Sequence, residues 1–425
     1  MLRDKPIFPN SQAQSQNIAG IYETINSDFL DLLKNDLLNP KPLMICSGGT
    51  SSRCADDGHW TLDLRKNFKK IEFDNSNNEI TIEAGVNMQE LLENALRFNR
   101  SFPIGLSGAT GAGYILTGGI SPLSRKYGLA VDNILELRGI WGNGERLKLS
   151  KPSDKTNYED KLKWKALCGA APFLAIITSL RLQTQQLKSI HIWETSLTSS
   201  QLAETISMAE TWPNSASLYW IWGKRIKAYG TYELDTLEDL DTYQRIVKEI
   251  PKREDFISYN VSNLSQIGKL QDSGIYKLSN KLHSEVIGML GPKINNNIGS
   301  MVKDIENLIR DRPSENCFIS CQQLGGETIT RGKDLTSFIY RDSVWKPWIT
   351  GAWNYKDLQE REDSLKWIED CWEALKIYFP GVHLAQIHPH LKWHNKEINA
   401  AFKMWLPQLQ ELKSKYDPKG ILPPL

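Results

Sequence analysis

The sequence predicts an α+β chain in two parts: a first part of short strands and helices joined by glycine turns, then an antiparallel sheet with helices on one face. Three observations lead there. Apolar runs that end in glycine turns alternate with helical spacing from residue 20 to residue 98. Strand-like runs alternate with amphipathic helices after about residue 186. At that same point glycine thins out and tryptophan becomes frequent, at Trp193, Trp212, Trp220, Trp222, Trp345, Trp348 and Trp353.

Taken in order, Ile21, Ile25, Phe29, Leu30, Leu33 and Leu37 stand at helical spacing over 20–38, and Asn39-Pro40 stops the run. Residues 42–46 read as a short buried strand entering Ser47-Gly48-Gly49, and strands are expected at 60–64 and 79–84. Met88, Leu91, Leu92, Ala95 and Leu96 mark a helix over 88–98. Residues 134–141 and 145–149 form a hairpin around Gly142-Asn143-Gly144. The polar stretch 151–165 is an exposed loop or surface helix, and the apolar strand 174–182 closes the first part. Beyond it, strands are expected at 217–222, 317–323, 337–341 and 348–353, and helices at 240–247, 298–309, 362–378 and 396–415.

Composition excludes several classes of function. Lys+Arg of 51 against Asp+Glu of 50 leaves no basic excess for nucleic acid. The longest apolar stretch, 173–180, is too short to span a bilayer, so no membrane insertion is expected. Residues 1–6 lack the apolar core of a secretory signal, and the six cysteines show no CxxC pair. Both point to reduced thiols in the cytoplasm. His388, His390 and His394 have no Cys or carboxylate at ligand spacing, so no metal site is expected.

Two segments carry chemistry. In Ser47-Gly48-Gly49-Thr50-Ser51-Ser52-Arg53, consecutive glycines let backbone N–H groups converge on an anion, hydroxyls add donors, and Arg53 would neutralise part of a pyrophosphate. A tight turn with surface hydroxyls is the other reading of this segment alone. Residues 102–113, continuing to Thr117-Gly118-Gly119 and Ser124–Leu129, are the densest glycine region. So many small residues imply backbone lying close to a large flat ligand. Trp220 and Trp222 share one strand face, as pocket wall or as core.

Four separated stretches, in order, resemble the vanillyl-alcohol oxidase (PCMH-type) superfamily and, within it, the berberine bridge enzyme-like branch. They are Ile45–Ser51, Phe102–Asn133 with Arg125-Lys126-Tyr127-Gly128-Leu129 and Asp132-Asn133, Gln322–Gly326 followed by Ser337–Asp342, and Leu409–Pro418 with Ile421–Pro424. The similarity runs from about residue 6 to the end, with little contribution from 187–316. The resemblance implies a PCMH-type FAD-binding domain of two subdomains over 1–186, a substrate domain with an antiparallel sheet over 187–380, and a C-terminal segment, 381–425, returning to the first domain. It implies FAD held by Ser47, Gly48, Gly49, Thr50, Ser51, Ser52, Gly105, Ser107, Gly108, Ala109, Thr110, Gly111, Gly113, Thr117 and Gly118, with the backbone of Ile176 and Ile177 on the adenine or ribose side.

Departures from the family pattern sharpen the expectation. Many members bind FAD covalently through a His and a Cys, whose positions here hold Thr50 and Ser107. Neither hydroxyl supplies an imidazole or thiolate, so non-covalent FAD is expected. That lowers the expected flavin potential and favours a dehydrogenase, whereas small Ala112 leaves room for oxygen, so the electron acceptor stays open. The family's Tyr-x-Asn region is His383-Leu384-Ala385-Gln386-Ile387-His388-Pro389-His390, which makes His388 and His390 the candidate bases. Gln323 and Tyr340, on strands expected to face the flavin, are candidates for orienting substrate. In Cys168-Gly169-Ala170-Ala171-Pro172-Phe173 a family glycine run is eroded, and Pro172 removes a donor. The expected activity is oxidation of a small alcohol, sugar or secondary metabolite at the flavin. The rival readings are a flavin-binding protein without turnover and a scaffold that has lost FAD.

Overall fold

A computed structural model describes residues 8–23, 42–105, 107–261 and 282–425. The first half holds two main sheets and a two-stranded pair, Arg100–Ser101 with Gln185–Gln186. A small parallel sheet orders Gly20–Tyr22, Trp60–Asp63 and Met44–Cys46. A five-stranded antiparallel sheet orders Ile71–Asp74, Glu79–Glu83, Ala175–Gln183, Ile134–Trp141 and Arg146–Ser150. Alternation decides which way each strand faces: in Glu79–Glu83, Ile80 and Ile82 are fully buried while Glu79, Thr81 and Glu83 are not. The helix Met88–Leu96 starts at a capping box of Asn87 and Glu90 and buries Met88, Leu91, Leu92 and Ala95.

The second half is an eight-stranded antiparallel sheet in the order Ile257–Val261, Ile190–Leu197, Ile226–Glu233, Ala216–Trp222, Phe318–Gln323, Trp345–Asn354, Leu282–Leu290, Gly381–Val382. Helices Ser199–Ala209, Ile298–Arg310 and Leu358–Leu375 pack on one of its faces. That face carries Trp193, Trp220 and Trp345, all almost fully buried. Trp220 and Trp222 are therefore core, facing the helices.

Three expectations are corrected. Gly20–Tyr22 is a strand where a helix was expected from residue 20, because Ile21 is buried against Phe8, Cys46 and Cys54 while the backbone pairs with Trp60–Leu62. The rest of that expected helix, 24–38, lies outside the described residues. Residues 337–341 form no strand, because their polar groups bond the first half of the chain instead. Ser337 N–H donates to Cys168 O at 2.7 Å, and Arg341 forks onto Asp132 at 2.7 and 2.9 Å. Helix 396–415 is two helices, His394–Phe402 and Leu406–Tyr416, separated at Lys403, whose φ is 42°. Pro407 sits in the first turn of the second, where its missing N–H costs nothing.

The two halves are fastened by the polar residues of 125–132. Arg125 donates to Ala216 O and Trp212 O, Lys126 pairs with Glu233 and Asp235, and Arg341–Asp132 is a fully enclosed ion pair. Losing one partner of that pair would leave an uncompensated buried charge, worth about 3–5 kcal/mol. The C-terminal segment returns to the first half. Tyr416 stacks on Trp141 at 4.2 Å, and Leu43 N–H donates to Ile421 O at 2.6 Å.

Candidate active site between the glycine loops and the sheet

The strand Met44–Cys46 delivers Ser47–Ser52 directly against the second glycine region. A Cβ on Gly48 would stand 2.3 Å from the Gly111 nitrogen, and a Cβ on Gly111 would stand 2.5 Å from the Gly48 nitrogen. Backbone lies on backbone, which no residue but glycine permits at either position. Gly113 N–H donates to Ser47 Oγ at 3.2 Å and completes the junction. Asn10 N–H caps the far side by donating to Gly49 O at 2.9 Å.

Among the described residues, the N–H groups of Gly48, Gly49 and Thr50 meet no backbone or side-chain acceptor. In front of Gly113 a Cβ would meet only Ser47 Oγ, at 3.3 Å. Donors without a protein acceptor, close to open space at Gly113, are what a pyrophosphate requires, so these residues fit the phosphate end of FAD.

The other expected cofactor residues divide by surroundings. Ser107 and Ala109 are exposed, while Thr50, Ser51, Gly105, Gly108 and Thr110 are half-buried on the same rim. Thr117 is buried, and its hydroxyl donates to Gly113 O at 2.9 Å. Ser52 Oγ is likewise engaged, donating to Glu285 at 3.1 Å. Ile177 and Ile176 pair with Gly139 and Ile140, but pairing with Glu79–Glu83 ends at Ser179, which leaves that edge of their backbone without a strand partner.

Across from the second loop lies the sheet face that the helices do not cover. Cross-strand partners share a side, so the rows Tyr229–Tyr219–Gln322–Lys346 and Lys227–Ile221–Ser320–Trp348–Gly288 both line it. Tyr229 Oη, Ser320 Oγ, Gln322 Oε1, Lys346 Nζ, Trp348 Nε1 and His383 Nε2 are buried with no hydrogen-bond partner among the described residues. Buried polar atoms are nearly always paired, so five such atoms on one face, with His383 beside them, mark a ligand site.

Two of these groups have the chemistry of a reaction centre. His383 is fully buried, and its backbone N–H donates to Gly288 O at 2.7 Å. Its Nδ1 lies 2.5 Å from Gln386 Oε1. Facing a carbonyl oxygen, Nδ1 carries the proton and Nε2 keeps a bare lone pair. Burial, reinforced by Lys346, pushes the imidazole well below its usual range, so it stays neutral. A Cβ on Gly118 would stand 3.3 Å from this Nε2 and 3.1 Å from the Phe338 ring, which places His383 where the second glycine loop meets the sheet. Lys346 is fully enclosed, with Nζ 3.4 Å above the Trp348 ring centroid. Burial pushes its amine well down.

The four catalytic candidates named from sequence are packed elsewhere. Gln323 faces the helices, donating to Ala209 O and accepting from Leu218 N–H at 3.0 Å, because its register position is opposite to that of Gln322. Tyr340 donates to Ala400 O at 2.7 Å as a tie to the C-terminal segment. His388 is clasped on both nitrogens, Nδ1 by Glu397 at 2.7 Å and Nε2 by Glu285 at 3.3 Å. His390 Nε2 meets Glu285 at 2.8 Å. His388 therefore offers no free lone pair to a substrate, and His390 is tied to the same carboxylate through Nε2.

Burial alone would lower His388, but Glu397 and Glu285 outweigh it and hold the imidazole at about 9. A folded value above the ordinary value of about 6.5 means that this contribution to stability is full below that pH and is lost as pH rises through about 9. The midpoint of thermal unfolding is therefore expected to fall between about pH 7 and 9.5, and Glu397→Gln should flatten that fall. An equally steep fall in the variant would remove His388 as its cause.

His383 stood inside the segment already singled out, and nothing in its sequence spacing set it apart from His388 and His390. Lys346 could have been found from Trp345-Lys346-Pro347-Trp348, a lone cation inside an apolar strand.

Residues 38–150 match the FAD binding domain family. An uncharacterized FAD-linked oxidoreductase of Bacillus subtilis (strain 168), YgaK, is 23% identical over 394 residues, covering 86% of this chain and 81% of its own. Among solved structures, a chitooligosaccharide oxidase is similar with a TM-score of 0.82 at 15% identity, covering 97% of this chain and 92% of its own. A variant of berberine bridge enzyme gives a TM-score of 0.78 at 18% identity, with coverage of 98% and 93%. These two likenesses establish a shared fold. No helix among the described residues is long and apolar enough to cross a membrane, and all six cysteines are free and buried.

Proposed function

We propose that the chain is a berberine bridge enzyme-like, FAD-linked oxidoreductase with a PCMH-type FAD-binding domain, and that it oxidises a small hydroxylated substrate enclosed between the second glycine loop and the uncovered sheet face. The observation that carries this reading is the set of unpartnered buried polar atoms on that face, next to His383. Bound FAD supplies the two-electron acceptor for the C–H electron pair as the C=O bond forms. His383 Nε2 takes the hydroxyl proton, since its lone pair is free and its ring neutral. Gln322, Tyr229 and Ser320 orient the substrate through their free polar atoms. Phe338 and the second loop exclude water by closing over Gly118. Gly48, Gly49 and Thr50 would hold the pyrophosphate through their N–H groups, and Gly105, Ser107, Gly108, Ala109 and Thr110 would line the rim. Ile176 and Ile177 would meet the adenine or ribose side through their unpaired backbone edge.

The cofactor is held without a covalent bond in this reading, because Thr50 and Ser107 are hydroxyls, which supply neither imidazole nor thiolate. The test is denaturation of the purified holoenzyme by acid or heat, followed by filtration. All flavin absorbance is expected in the filtrate, and colour that stays with the precipitated polypeptide would refute non-covalent binding.

A further inference from the structure

We propose that the enclosed site takes a small hydroxycarboxylate whose carboxylate is bound by Lys346; this rests on reading the site as a substrate pocket. The unpartnered groups are of three kinds: Trp348 Nε1 only donates, Gln322 Oε1 and the bare His383 Nε2 only accept, and the hydroxyls of Tyr229 and Ser320 can do either, which leaves Lys346 as the one group there able to carry a positive charge.

Charge points the same way. Lys346 has no counter-ion among the described residues, and the one titratable group that favours its charge is the thiol of Cys321, which burial keeps protonated. Arg53, like Lys346, acts on His383 as a positive charge. Glu285 is already committed to His388 and His390, and Glu194 accepts from Tyr259 at 2.6 Å. An amine in so closed a place stays neutral, and an anion that enters with the ligand is what would favour its ammonium form.

Position bears on the second functional group of the substrate. Lys346 lies over the Trp348 ring, and the point where a Cβ of Gly288 would stand is 3.0 Å from His383 Cβ and 3.3 Å from Trp348 Cδ1, so His383 and Trp348 flank the same glycine. In the proposal the carboxylate meets Lys346 and the hydroxyl of the same small molecule meets His383.

The experiment is calorimetric titration of the FAD-loaded enzyme at about pH 8, in two buffers of different protonation enthalpy. The probes are lactate, pyruvate and oxalate against the uncharged lactamide and pyruvamide. A carboxylate that meets a neutral lysine draws a proton onto it, so uptake approaching one proton per ligand is expected. The amides should bind at least ~30-fold more weakly, because they lack the charge. Lys346→Met, a neutral side chain of similar length, should abolish both the uptake and the preference while the flavin spectrum persists. Equal binding of amides and carboxylates, binding of carboxylates without proton uptake, or no binding of any carboxylate would overturn the proposal. Binding is read without turnover. Carboxylates that bind with uptake but never bleach the flavin would refute the oxidation reading and leave this one standing.

Discussion

Replacing His383 with alanine is expected to slow anaerobic bleaching of the bound flavin by about 10²–10⁴-fold, the range that a positioned general base contributes. The expectation follows from three features that together set a proton acceptor. Nε2 has no partner, Nδ1 is held by Gln386, and burial keeps the ring neutral at any pH near 7. Stopped-flow absorbance with a hydroxy acid that reduces the wild type would measure it. The flavin spectrum of the variant should be unchanged, since His383 lies on the sheet side of the pocket. Gln386→Leu should give a smaller loss, because it removes only the hydrogen bond that fixes the tautomer. A His383→Ala enzyme that bleaches at the wild-type rate would return the search for the base to Lys346.

The second large effect is expected at the junction of the loops. Valine at Gly111 would drive its Cβ to 2.5 Å from the Gly48 nitrogen, and valine at Gly48 would place one 2.3 Å from the Gly111 nitrogen. The obstacles are backbone atoms, so no side-chain rotation relieves them, and the loops must part. The unpartnered N–H groups of Gly48, Gly49 and Thr50 then no longer sit against the second loop. A loss of at least ~100-fold in FAD affinity is expected, which corresponds to about 2.8 kcal/mol. Fluorescence titration of the apoprotein would read it. The eight-stranded sheet has its own core of tryptophans and helices, so far-UV circular dichroism should change little. Gly118→Val tests the other end, where φ is 119° and Phe338 stands 3.1 Å from the new Cβ, and it should disturb substrate binding along with flavin.

Much of this arrangement was legible in the residues themselves. Periodicity placed the strand Glu79–Glu83, the helix Met88–Leu96 and the hairpin at Gly142–Gly144, because those signals are local. Both glycine loops announced themselves by composition. Their direct contact did not, since it depends on how the parallel strand Met44–Cys46 delivers one to the other. The reaction centre was harder to read. Gln322 and Gln323 are adjacent in sequence, and only the register with Tyr219 and Lys346 decides which one faces the pocket. Three histidines lie within 383–390, yet Glu285 and Glu397, distant in sequence, neutralise two of them as catalysts and leave the third. Arg125 and Asp132, in the stretch that resembles the cofactor loop, turn out to fasten the halves together. Long-range partners carry that information, and spacing within a segment does not.

The most direct test is to titrate the apoprotein with FAD and follow flavin absorbance and fluorescence. One equivalent should bind and leave a yellow protein whose colour is lost in Gly111→Val. A wild-type polypeptide that stays colourless with FAD in excess would contradict the claim that backbone at Gly48 and Gly111 holds a dinucleotide.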